Sequence, residues 1–123
     1  MLTISKTITF AAAHSLPRYD GPCFRLHGHE WKLEVTVRRP RGDIDEPSGM
    51  VMDFKLLKEL LQKEVVDRFD HYLVNDQIEN PTAENMIHVI RGLLQTLVES
   101  NGHILHGLRL WETPDSCCEW RAE

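Results

Sequence analysis

A chain of 123 residues, 41% of them apolar and 27% charged, has the size and composition of one globular domain with a modest core, spanning residues 1–123. Its formal net charge of −5 argues against a general nucleic-acid binder, which carries a basic face. No apolar run approaches the roughly 20 residues of a membrane span, Met1-Leu2-Thr3-Ile4 lacks the order of a secretory signal, and three cysteines (Cys23 and the adjacent Cys117 and Cys118) make a poor disulfide framework, so a cytoplasmic protein with free thiols is expected.

The chain opens on alternation. Leu2, Ile4, Ile8 and Phe10 share a parity with Lys6, opposite Thr3, Ser5, Thr7 and Thr9, which predicts a first strand; the same parity continues to Ala12 and His14. Pro17 to Pro22, containing Asp20-Gly21, has turn chemistry. A second strand is predicted from His27 to about Arg39. One face carries His27, His29, Trp31, Leu33, Val35 and Val37; the other carries Glu30, Lys32, Glu34, Thr36 and Arg38. Pro40 to Asp43 and Glu46 to Gly49 read as turns around a bent hairpin, followed by a short extended piece, Met50 to Met52.

Asp53 is expected to cap a helix with the stripe Phe54, Leu57, Leu60, Leu61 and Val65. A second helix begins near Asn80-Pro81-Thr82, carries Met86, Ile87, Ile90, Leu93, Leu94, Leu97 and Val98 on one face, and stops at Asn101-Gly102. Two further strands are predicted, about Leu108 to Thr113 and Cys117 to Arg121. Four strands and two helices in this order predict an α+β layer: a four-stranded antiparallel sheet with both helices on one face. The opposite face is polar and suits solvent or a wet subunit interface.

The chemistry concentrates at His27-Gly28-His29. Histidines at i and i+2 of a strand point the same way, so one cation can satisfy both. His14 from the neighbouring strand completes a three-histidine set with one position open, the ligand count of a catalytic zinc site. The bland alternative is a set of core-edge histidines bonded to backbone carbonyls. Cys23 lies in a polar loop four residues before the pair. It is an inert filler, a fourth ligand that closes the site, or a thiolate base or nucleophile whose pKa a nearby cation lowers.

Two acidic positions accompany this set. In Asp70-His71 an imidazole can hold a thiol's proton while a carboxylate orients it; on a strand the two would point apart, and a solvated loop pair is the alternative. Glu112 shares the parity of Leu108 and Leu110, which directs a carboxylate inward, where it needs a partner such as a ligand with two adjacent N–H donors. The alternative is a strand-end glutamate reaching water. His88 lies off its helix's apolar stripe, His103 and His106 flank a turn, and Asp53 and Thr82 read as helix starts.

Taken together, Phe10 to His14, Cys23 to His29, Gly49 to Phe54, Asp70-His71, Pro81 to Asn85 and Glu112-Thr113 resemble the 6-pyruvoyl-tetrahydropterin synthase family, and most of all its 6-carboxy-tetrahydropterin branch in the queuosine pathway. The resemblance spans nearly the whole chain. The Cys-x-x-x-His-Gly-His motif with its upstream histidine is specific, and Arg25 within it favours the carboxy branch.

This resemblance implies a tunnelling fold that trimerises into a barrel and pairs into a homohexamer, with active sites between subunits. It implies zinc on His14, His27 and His29, and Cys23 as catalytic base coupled to His71 and Asp70. It implies Glu112 as the anchor of the pterin's N–H groups, with Thr82 beside it in substrate binding. The implied reaction converts 7,8-dihydroneopterin triphosphate to 6-carboxy-5,6,7,8-tetrahydropterin, acetaldehyde and triphosphate, with no nucleic acid or membrane as partner. Triphosphate elimination without carbon–carbon cleavage is the neighbouring outcome, and a non-enzymatic zinc-stabilised assembly module, with Cys23 as fourth ligand, is the rival of another class. Lys6, Arg18 and Arg25 are candidate triphosphate ligands. Phe24 and Trp111 depart from the family pattern beside its motifs, where they bear on which side chain is accepted.

Overall fold

A computed structural model describes all 123 residues. Four strands, β1 (Ile4–His14), β2 (His27–Arg38), β3 (Ile104–Thr113) and β4 (Ser116–Arg121), form one antiparallel sheet in the order β1-β2-β3-β4. Between β2 and β3 run α1 (Phe54–Leu61), a π turn (Gln62–Val66) and α2 (Asp67–Phe69) as one continuous helical stretch, then α3 (Ala83–Ser100). The predicted sheet with helices on one face is what the chain adopts. No helix is long and apolar enough to cross a membrane.

The alternating face of β2 builds the core. Trp31, Leu33, Val35 and Val37 are fully buried, with Phe10 of β1 and Leu105, Leu108 and Leu110 of β3 beside them. Against them pack Leu57, Leu61, Val65 and Phe69 from the first helical stretch, and Met86, Ile87, Ile90, Leu94 and Val98 from α3. The first stretch buries every fourth residue. In a regular α-helix that spacing drifts by about 40° per step, so the stripe would wind off the sheet by Phe69. The wider π turn under-winds the helix and brings Val65 and Phe69 back to the core. Phe54, assigned above to this stripe, is instead exposed, because it is the first helical residue and lies beyond the sheet-facing turn.

The caps follow the sequence. Asp53 accepts from the Lys55 N–H at 2.9 Å and Thr82 from the Asn85 N–H at 3.1 Å. The turn chemistry of residues 40–49 closes on a bridge between Asp45 and Met50, with Gly49 in the left-handed region at φ 72°.

β1 begins at Ile4 rather than Leu2, and β3 begins at Ile104, four residues before the predicted start. The second difference has a clear cause. Thr36 pairs with Gly107 and Val37 with Leu105, so His106 is an extra residue in β3 and the alternation slips there. A second slip lies between Trp111 and Thr113, making Glu112 the extra residue.

Candidate metal centre and its surroundings

The antiparallel register of β1 and β2 puts His14 directly opposite His27 and Ala12 opposite His29. All three imidazoles therefore lie on the core-facing side, at the end of the sheet where the two strands separate. Their ring centroids are 4.6 Å (His14–His27), 5.2 Å (His14–His29) and 4.7 Å (His27–His29) apart. Trp31 closes the inner end: its indole N–H donates to the Ala12 carbonyl at 3.2 Å, and its ring meets His14 and His29 edge-on at 5.1 and 5.4 Å.

The outer nitrogens fix the tautomers. His14 Nδ1–H donates to the Pro81 carbonyl at 2.8 Å and His27 Nδ1–H to the Arg25 carbonyl at 2.7 Å. Both Nε2 atoms then carry lone pairs, and they face each other at 3.0 Å. His29 Nε2 is buried without a hydrogen-bond partner. Burial, its largest cause, lowers the pKa of both His14 and His29, so both imidazoles favour the neutral, ligating form. Lone pairs aimed at one point repel unless a cation lies between them, and carbonyls holding the far side of the His14 and His27 rings are the usual outer support of a metal site. The residues present fit a metal ion.

A fourth donor joins them. Glu112 Oε1 lies 3.3 Å from His14 Nε2 and 3.5 Å from His29 Nε2, and the four ligand atoms all fall within 4.8 Å of one another. Glu112 faces the histidines, on the side that its parity with Leu110 predicts, and is partly exposed at the rim. The fourth-ligand role weighed for Cys23 is not supported: that thiol is outside the group. Cys23 sits in the short 3₁₀ turn Pro22–Phe24, pinned by a bond from the Leu16 N–H to its own carbonyl at 3.0 Å.

Asp70 and His71 do bond to each other, contrary to the expectation for neighbours on a strand. His71 is the one non-glycine residue with positive φ, 65°. That left-handed step reverses the side-chain direction, and His71 Nδ1 meets Asp70 Oδ2 at 2.9 Å. Asp70 Oδ1 also accepts from the Ala11 N–H of β1 at 2.8 Å, while the His71 N–H donates to the Ala11 carbonyl at 2.6 Å. The Ala11 N–H, then the bond from His71, hold the Asp70 carboxyl below its ordinary range. The pair is thus tied to the edge of β1, two residues from Ala13 and three from His14. His71 and His29 line one open cleft of about 600 Å³, between residues 11–13 and Gly28. No Cβ contact within 4 Å would meet a side chain at Gly28, so the glycine keeps this mouth clear. His71 and Cys23 form no bond within the chain.

The remaining candidates separate. Thr82 spends its hydroxyl on the α3 cap, while its neighbour Pro81 supplies the carbonyl under His14. Arg18 and Arg25 line one loop cleft of about 580 Å³, and Arg18 also pairs with Glu79 at 3.0 Å. Lys6 lies eight residues back along β1 from His14, about 26 Å at strand rise, too far to serve this centre. His88 is exposed on α3, and His103 Nε2 bonds the Val51 carbonyl at 2.9 Å. Sequence reasoning missed the Pro81 and Arg25 carbonyls and the Trp31 indole; only strand pairing could reveal them.

A family model described as 6-pyruvoyl tetrahydropterin synthase matches residues 3–123. The chain belongs to the 6-pyruvoyl tetrahydropterin synthase family. Among its relatives, a Synechocystis protein named 6-carboxy-5,6,7,8-tetrahydropterin synthase is 37% identical over 123 residues, covering 98% of this chain and 93% of that protein. A Haemophilus influenzae protein of the same name is 30% identical, covering 98% and 99%. The solved 6-pyruvoyl tetrahydropterin synthase of Caenorhabditis elegans superposes with a TM-score of 0.83 at 25% identity, covering 99% of this chain and 96% of that one. The four-stranded sheet with helices on one face is therefore the tunnelling fold of this family, and the histidine cluster lies within the matched residues.

Proposed function

We propose that this chain is a zinc-dependent 6-carboxy-5,6,7,8-tetrahydropterin synthase, converting 7,8-dihydroneopterin triphosphate and water to 6-carboxy-5,6,7,8-tetrahydropterin, acetaldehyde and triphosphate. The convergence of the His14, His27 and His29 Nε2 atoms carries this reading, in a chain whose full-length relatives bear that name. A zinc ion on three neutral imidazoles would supply Lewis acidity toward the substrate's side-chain hydroxyls. Cys23 takes protons from the side-chain carbons and returns them. His71 relays them, and Asp70, held by the Ala11 N–H, fixes the His71 ring through Nδ1 and leaves Nε2 to face the thiol. Glu112 accepts the N–H groups of the pterin, Thr82 is assigned to substrate binding with it, and Arg18 and Arg25 offer cations for the triphosphate.

The absence of a His71–Cys23 bond within one chain favours a site completed by a second copy. The outer sides of β4 and of β1 before Ala11 carry no partner strand in the single chain, which supports the barrel of three copies and the hexamer of six that the family resemblance implies. A second reading, 6-pyruvoyl-tetrahydropterin formation, is favoured by the match to the C. elegans structure so named. The deciding experiment incubates purified protein with 7,8-dihydroneopterin triphosphate, with and without chelator, and assays acetaldehyde. Acetaldehyde with 6-carboxytetrahydropterin, lost on chelation and restored by zinc, is the expected result. Triphosphate release without acetaldehyde would move the chain to the pyruvoyl reaction; no turnover with bound zinc would leave only the assembly module.

A further inference from the structure

The carboxylate of Glu112 has two claims on it. Its Oε1 is the fourth donor of a cluster that spans less than 4.8 Å, yet the same side chain also lines two clefts. One, of about 240 Å³, is shared with Ala83, Glu84 and Cys118; the other, of about 570 Å³, with His29, Lys32 and Trp111. A ligand with two adjacent N–H donors takes both oxygens of a carboxylate, so Glu112 cannot serve such a ligand and the imidazoles at once.

The local geometry explains how the side chain reaches the histidines at all. Glu112 is the extra residue of the β3 slip, and such a bulge re-aims a side chain out of the ladder. Its approach also needs a cation. The His14 and His27 ring protons are committed to the Pro81 and Arg25 carbonyls, so a carboxylate oxygen 3.3 Å from His14 Nε2 faces a lone pair. An ion among the four atoms turns each of these repulsions into a bond and gives His29 Nε2 its missing partner.

We propose that Glu112 is a displaceable fourth ligand of the metal centre: it fills the position that three histidines leave open, and it swings into a cleft when a ligand with adjacent N–H groups draws it away. The displacement half of this statement rests on the pterin reading above; the resting half does not. With Glu112 in place the site is closed and the ion's charge partly neutralised. With Glu112 withdrawn the site opens at full charge, so the Lewis acid is unmasked only when the ring of the ligand is seated.

The test uses the full chain loaded with cobalt(II), which reports its coordination in the visible spectrum. In the wild type, millimolar azide is expected to leave the spectrum unchanged, whereas neopterin, which has ring N–H groups and side-chain hydroxyls but no triphosphate, shifts it. Glu112→Gln is expected to bind cobalt at least about 10-fold more weakly, the scale on which even outer partners act, and to respond to azide at once. Equal cobalt affinity and equal azide response in the two proteins overturns the proposal. Circular dichroism checks that the variant is folded; if it is not, azide binding to the wild type alone overturns it. Neither readout involves turnover. A chain that excludes azide but ignores neopterin keeps the fourth ligand and loses the displacement, whatever its catalytic activity.

Discussion

His71 shows how much one backbone angle decides. A left-handed φ costs a non-glycine residue on the order of 1 kcal/mol, and here it buys the bond between neighbours that a strand would forbid. His71→Gly removes the imidazole while relieving the angle, and glycine's extra unfolded-state freedom costs about 0.5–1 kcal/mol in return. Urea unfolding should therefore place the variant within about 1 kcal/mol of the wild type, while turnover falls by roughly 10²–10⁴-fold, the usual contribution of a positioned proton carrier. A large loss of stability would show that the ring serves the fold instead. Cys23→Ala should lose at least 10²-fold in kcat on the same basis, measured by release of triphosphate. The residue-level chemistry was legible because histidines at i and i+2 on a strand have only one geometry. The Asp70–His71 bond was not, since nothing in the two residues announces a positive φ.

At the scale of elements, alternation and capping residues located β1, β2, both long helices and the hairpin of β3 and β4. What escaped was irregularity. Leu105 and Leu108 are both buried although three apart, because His106 is an extra residue between them. The second slip at Glu112 is equally invisible in a period-2 reading, which nevertheless aimed its carboxylate correctly. The π turn is legible only in retrospect, from the four-residue spacing of Leu57, Leu61, Val65 and Phe69. Its purpose is to keep Phe69 on the core, 5.8 Å from Phe10 and immediately before Asp70. Phe69→Ala is expected to cost about 3–5 kcal/mol, read as a fall in the urea midpoint. Because the Asp70 carboxylate depends on that anchorage, its NMR pKa should also drift back up toward the ordinary value, about 3.9.

For the molecule as a whole, the metal and the fold are linked. A ligand that binds only the folded chain adds about 2.7 kcal/mol at 100 times its Kd, so chelation should lower Tm and zinc should restore it. The chelated protein should also be acid-sensitive. Burial lowers the folded pKa of His14 and His29, so as pH falls through about 6.5 the unfolded chain takes up protons that the folded one still refuses. Stability is then full above that value and declines as pH drops toward the folded pKa values. Thermal melts with chelator at pH 7.5 and 5.5 should show the lower Tm at 5.5. Equal values would mean that the native imidazoles titrate normally.

The indole of Trp31 gives the protein a lamp of its own. It is fully buried, its N–H is tied to Ala12, and two of the three cluster rings press edge-on against it, whereas Trp111 and Trp120 lie nearer the surface beside arginine and lysine. The blue edge of the emission therefore belongs to Trp31, and any event that changes the charge on its imidazole neighbours dims or brightens that edge. Loading of the cluster can be followed by fluorescence, in real time and without label.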